Sequence, residues 1–135
     1  MDLNESQMLD LLRVAREARE SAYAPFSEFK VGAAVLVESG DVYTGCNVEN
    51  ASYGLTVCAE RVAVFNAVSS GERKIAAVAI VAGEENPARP CGACLQVMAE
   101  FAPDNGALPI ITANTSLNYE VHSLDDYLPM RFTLD

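Results

Sequence analysis

A chain of 135 residues, half of them hydrophobic, can bury one core but not two, so one domain over 1–135 is expected. Its formal charge of −10 argues against a nucleic acid or an anionic membrane surface, which are bound through clustered Lys and Arg; a neutral or weakly polar small molecule is the ligand class most easily admitted. The acidic start Met1-Asp2-Leu3-Asn4-Glu5 is unlike a signal peptide, and no apolar run approaches the roughly 18 residues of a membrane span, so a cytoplasmic location is expected.

In chain order, Asn4 is a good N-cap for a helix whose apolar face is Met8, Leu11, Leu12, Ala15, Ala18 and Ala22, ending before Pro25. Residues 29–37 and 42–46 read as two strands of a hairpin around Ser39-Gly40, and 47–56 as a polar, aromatic loop of the kind that holds ligands. Residues 58–68 form a helix with almost no polar face. One side of it can meet the chain's own sheet and the other a second subunit, so a homo-oligomer is expected. A near-continuous apolar strand at 75–81 follows, then a polar loop, a helix over 92–101, strands at 108–113 and 119–122, and a short helix capped by Ser123 that stops at Pro129. Crossover helices favour parallel pairing, and the expected fold is α/β, a three-layer α/β/α arrangement around a mixed, mostly parallel five-stranded sheet.

Four cysteines in a reducing compartment read as metal ligands, reactive thiols or buried apolar residues before they read as disulfides. Cys91 and Cys94, just after Pro90, place two sulfurs on one side of a first helical turn, where the positive helix end favours thiolates. That pair alone leaves a zinc half-site, a redox pair and incidental thiols all open. Cys58 and Glu60 point apart within a helix and can address one point only if the helix begins at about Cys58. Two helix starts facing each other would then give three sulfurs on one zinc and a fourth position for water, the catalytic arrangement. Glu60 is placed for proton transfer beside such a water, or else merely favours the helix dipole. Arg61 is expected to donate to ligand sulfur and offset the thiolate charge; the alternative is a solvated arginine. Cys46 reads as a small buried residue, and His122 is given no role.

Cys58-Ala59-Glu60 with Pro90-Cys91-Gly92-Ala93-Cys94 resembles the zinc deaminase signature. With Cys in the first position of so short a chain, it is similar to the homotetrameric class of cytidine deaminases. The run from Tyr23-Ala24-Pro25-Phe26-Ser27-Glu28-Phe29 to Ala34, and Gly45-Cys46-Asn47-Val48-Glu49-Asn50, agree, so the resemblance covers nearly the whole chain. It implies one Zn²⁺ per subunit on Cys58, Cys91 and Cys94, Glu60 as proton shuttle, and hydrolytic deamination at C4 of cytidine and 2′-deoxycytidine in pyrimidine salvage. It further implies Phe29 stacking on the base, Asn47 and Glu49 on the ribose hydroxyls, and Ala59 and Tyr53 among the substrate contacts. Phe132 is implied to reach over the base of an adjacent subunit, with Gln96 beside Arg61 as support for the zinc cluster. Glu49 should also repel a 5′-phosphate, favouring nucleosides over nucleotides. A structural zinc module, a thiol redox protein and deamination of a cytosine-containing antibiotic are the alternatives. Leu95 departs from the family, many of whose members carry Arg after the last cysteine, which puts the local charge balance or an interface in question.

Overall fold

The computed structural model describes residues 2–134. Helix α1 (Glu5–Arg19) starts in a reciprocal capping box: Gln7 N–H donates to Asn4 Oδ1 at 2.8 Å, and Asn4 N–H donates to Gln7 Oε1 at 2.9 Å. It ends before the expected 24, because Tyr23 leaves the helix and donates its N–H to Asn47 O at 3.0 Å. Strands β1 (Gly32–Val37) and β2 (Val42–Cys46) form the expected antiparallel hairpin. The turn uses Gly40 at φ +100, a conformation that favours glycine. Strand β1 begins at 32 and not at 29, since Asn47 takes the backbone polar groups of Phe29 and Val31.

Helix α2 (Ala59–Ser69), strand β3 (Ile75–Val81), helix α3 (Gly92–Glu100), strands β4 (Pro109–Ala113) and β5 (Tyr119–Ser123) and the one-turn helix α4 (Leu124–Tyr127) complete the chain. The five strands lie in the order β2-β1-β3-β4-β5. The sheet is mixed, as expected, but it is not mostly parallel. Among the described residues β3 and β4 form the one parallel pair, and β1/β2, β1/β3 and β4/β5 are antiparallel. The crossover argument holds for α2, which joins β2 to β3, two strands running the same way; the hairpin then folds β1 between them and reverses both contacts.

Helices cover both faces. On one, Leu11, Leu12 and Ala15 of α1 meet Ala34, Ala77, Ala79, Ile111 and Ala113. On the other, Ala59, Ala63, Val64 and Ala67 of α2 and Cys94, Leu95 and Met98 of α3 meet Ala33, Val35, Val78, Ile80 and Ile110. Strand β3 is buried at every position, which explains its lack of alternation. Glycine sets the approach of α2 to the hairpin, since a Cβ on Gly45 would stand 2.4 Å from Ala63 N and 2.6 Å from Ala59 O. Among the described residues no helix is long and apolar enough to cross a membrane.

Candidate active site

The starts of α2 and α3 lie at the end of the sheet where β2, β3 and β4 finish, the usual ligand position in α/β sheets. Cys58 is the N-cap of α2 and Cys91 the N-cap of α3, both in extended backbone conformation. This is the condition under which Cys58 and Glu60 can serve one site. The three sulfurs of Cys58, Cys91 and Cys94 lie within 4.8 Å of one another. Cys58 Sγ is 4.0 Å from Cys91 Sγ, which is 3.4 Å from Cys94 Sγ. Thiolates tetrahedrally placed about zinc at 2.3 Å stand about 3.8 Å apart, so the donor type and the spacing both fit one zinc ion. Among the described residues no fourth His, Cys, Asp or Glu joins the cluster, which leaves a coordination position for a small molecule.

Arg61 Nη2 donates to Cys58 Sγ at 3.5 Å, as expected, and its buried Nε has no acceptor, a spare donor beside the sulfurs. The Cys94 contact and the Arg61 guanidinium hold the Cys58 thiol down at about 5, while the same Cys58 contact and burial push Cys94 up. Glu60 is buried, 6% exposed, and burial pushes its carboxyl above the ordinary range, with the Cys58 thiolate adding to the effect. A carboxyl whose protonated form is favoured by burial is suited to taking up a proton and releasing it, which acid–base chemistry requires. Ala59, fully buried, opens α2 between Cys58 and Glu60.

A short backbone ladder leads into the start of α2. Val48 exchanges two 3.0 Å hydrogen bonds with Val57, the residue before Cys58, while Tyr23 N–H donates to Asn47 O and Glu49 N–H to Tyr23 O. Extended backbone around Val48 puts Asn47 and Glu49 on the same side, away from its own side chain. Asn47 is buried; its Nδ2 donates to Phe29 O at 2.8 Å and its Oδ1 accepts from Val31 N–H at 2.9 Å. That leaves one N–H and one lone pair of the amide. Glu49 Oε1 accepts from Phe26 N–H at 2.9 Å and Ser27 N–H at 3.1 Å, and Oε2 accepts from the Ser27 hydroxyl. These bonds, the hydroxyl's above all, lower its pKa and fix its charge. Phe26, Ser27, Glu49, Asn50, Tyr53 and Thr56 line a cleft of about 330 Å³. A larger cavity, about 700 Å³, opens at the other end of the sheet around Lys74, Asp104 and His122, away from the cysteines.

Phe29 is half-exposed, its ring edge toward Gly83 of the loop after β3; Tyr53 and Phe132 are exposed, at 84% and 66%. Gln96 does not reach the sulfurs: its Nε2 donates to Phe132 O at 3.1 Å, because its side chain projects toward the C-terminal segment. Leu95 is 6% exposed within the apolar cluster of α2 and α3, so packing occupies the place of a charge. Cys46 is half-buried and its thiol pKa is raised by burial; it stands outside the sulfur cluster. Ser27, which anchors Glu49, was not singled out by sequence reasoning, although it lies inside the Tyr23–Ala34 motif. The i, i+2 alternation of Asn47 and Glu49 was the available clue to this polar floor, but its partner lies 22 residues away.

Residues 5–107 match the family model for the cytidine and deoxycytidylate deaminase zinc-binding region. A cytidine deaminase of Sporosarcina psychrophila is 48% identical over 123 residues, covering 91% of this chain and 89% of that protein. The crystal structure of cytidine deaminase from Burkholderia pseudomallei superposes with a TM-score of 0.86 at 45% identity, covering 96% of this chain and all of that one. A blasticidin-S deaminase of Bacillus cereus is similar at 27% identity over 135 residues. With a family match over most of its length and these relatives beside it, the chain belongs to the cytidine and deoxycytidylate deaminase family.

Proposed function

We propose that the chain hydrolyses cytidine and 2′-deoxycytidine to uridine and 2′-deoxyuridine with release of ammonia, in cytoplasmic pyrimidine salvage. The observation that carries this reading is the convergence of three sulfurs from two helix starts beside one buried carboxyl. Cys58, Cys91 and Cys94 would hold the zinc, which when bound would supply a Lewis acid that makes water nucleophilic at neutral pH. Glu60 takes the proton of the attacking water and passes it to N3 of the base. The proton of the new C4 hydroxyl then passes through Glu60 to the exocyclic nitrogen, and as the C4 carbonyl forms the C4–N bond breaks and ammonia departs. Arg61 offsets the charge of the ligand set from the Cys58 side. Ala59 helps shape the base end of the pocket. Phe29 stacks on the base, and the free hydrogen-bonding capacity of Asn47 with the fixed carboxylate of Glu49 binds the ribose hydroxyls. That polar floor favours a ribose-bearing substrate over an antibiotic, and the charge of Glu49 favours a nucleoside over a nucleotide.

The active form is a homo-oligomer, a tetramer with shared sites. Supporting this, Phe65 on the outer side of α2 is 48% exposed, and Tyr53, Leu55 and Phe132 add apolar surface near the site. Tyr53 lines the cleft that holds Glu49, and Phe132 completes the pocket of an adjacent subunit. Loss of ultraviolet absorbance from cytidine tests the activity, with Glu60→Gln at equal zinc content as the decisive variant. The expected loss in kcat is about 10²–10⁴-fold. Full activity in that variant, or none in the zinc-loaded parent, defeats the reading.

A further inference from the structure

After α4 the described chain forms neither helix nor strand, and it exposes Met130, Phe132 and Leu134 at 93%, 66% and 89%. Leu128 packs against the core, but beyond it the segment buries no apolar side chain. What holds Arg131 and Phe132 is polar, and comes from two elements. Arg131 turns inward, its side chain 18% exposed; its Nη2 donates to the Asp125 carboxylate in the first turn of α4 and to Gly106 O at 3.3 Å. Gly106 stands at φ +77, and an added Cβ there would lie 3.4 Å from that nitrogen. One residue on, Gln96 Nε2 donates to Phe132 O at 3.1 Å. Gln96 belongs to α3, two residues after the zinc ligand Cys94, whereas Gly106 lies in the loop before β4 and Asp125 in α4.

The Arg131–Phe132 step is thus fastened through a side chain on one side and a carbonyl on the other. Its direction is tied to α3, the helix that carries two of the three zinc ligands. The Phe132 ring is left free by both contacts and points outward. We propose that Arg131, assisted by Gln96, is a positioning residue that aims Phe132 into the base pocket of a second copy of this chain. The inference rests on the role given to Phe132 above and adds the device that sets its direction. An untethered segment must be ordered each time substrate is enclosed, and ordering even one or two residues weakens binding by about tenfold or more. The tether removes that penalty before substrate arrives.

The test compares the zinc-loaded parent with Arg131→Ala, Arg131→Lys and Phe132→Ala. KM and kcat for cytidine are measured with zinc content, sedimentation and amide hydrogen exchange over residues 130–134. Arg131→Ala is expected to raise KM about tenfold, leave kcat within about twofold, retain zinc and subunit assembly, and speed exchange in the segment. Arg131→Lys should recover part of the KM, because one ammonium can still reach Asp125 or Gly106 O. A merely structural role would lower the active fraction and leave KM unchanged. Phe132→Ala raising KM while Arg131→Ala does not overturns the positioning role alone. An unchanged KM in Phe132→Ala overturns the reading of Phe132 and the positioning role with it.

Discussion

Gly45→Ala puts the link between fold and site to a direct test. The added Cβ would stand 2.4 Å from Ala63 N and 2.6 Å from Ala59 O, where ordinary contact begins at 3.4 Å. Both obstacles are helix backbone, so no side-chain rotation relieves them, and α2 must retreat from β2 by about 1 Å. Overpacking of this kind costs about 1–3 kcal/mol, seen as a lower urea midpoint. The displaced turn also carries Cys58 and Glu60, and a misplacement of about 1 Å is worth about 10²-fold in kcat. Gly32→Ala is the matched control: its Cβ would meet Ala15 O at 2.0 Å, so it displaces α1 on the other face and should lower stability without a comparable loss in turnover per folded molecule. Gly54→Ala, with nothing within 4 Å, should change neither. A Gly45→Ala protein with the parent's midpoint, or a destabilised one with undiminished kcat, refutes the claim that β2 sets the position of the catalytic turn.

Arg61→Gln removes the cation beside Cys58 Sγ and is expected to weaken zinc binding by about 10–100-fold, read by competition with a chromophoric chelator; an unchanged affinity rejects charge compensation. Glu49 titrates below its ordinary value of 4.5 because the Ser27 hydroxyl and two backbone N–H groups bond the charged form. A depressed carboxyl stabilises the fold above the unfolded-state value and stops doing so as pH falls through the folded-state value. Glu49→Gln should therefore be less stable than the parent at pH 7, with the gap closing below about pH 4; chemical denaturation at both pH values measures it, and a gap independent of pH contradicts the assignment.

How far the sequence could be read depended on how local each signal was. Asn4 and Ser123 announced their helices because a cap and its partner lie within three or four residues. The three sulfurs and Glu60 were legible because helix starts confine side chains to a small solid angle, so two short motifs were enough to place them. The sheet's polarity was not legible, since the hairpin register that inserts β1 between β2 and β3 depends on which edge β3 pairs with, a contact made across 38 residues or more. For the same reason the partner of Gln96 was not legible, since its amide finds a carbonyl 36 residues downstream. Ser27 was hidden in a motif read for its aromatics, and only the return of Glu49 to that turn reveals its part.

The two cysteine N-caps carry a conflict between folding and chemistry that can be measured. Neither Cys58 nor Cys91 makes a side-chain hydrogen bond to its helix, where Ser, Asp or Asn would. A missing cap costs about 1 kcal/mol, so each helix gives up that stability to keep a thiol for metal. Zinc more than restores it: at a free concentration a thousand times the dissociation constant, ligand binding contributes about 4 kcal/mol. Cys91→Ser should reverse the trade. Cys91 is exposed, so the exchange buries no new polar atom, and the serine hydroxyl can cap α3. Chelator-treated Cys91→Ser is thus expected to unfold at a higher temperature than chelator-treated parent, while with zinc in excess the order inverts because one ligand is lost. The crossing is the signature to seek in melts recorded across a zinc titration. A serine variant less stable than the parent at every zinc concentration would show that the sulfur contributes to the fold without the metal, and that these helix starts were not sacrificed for it.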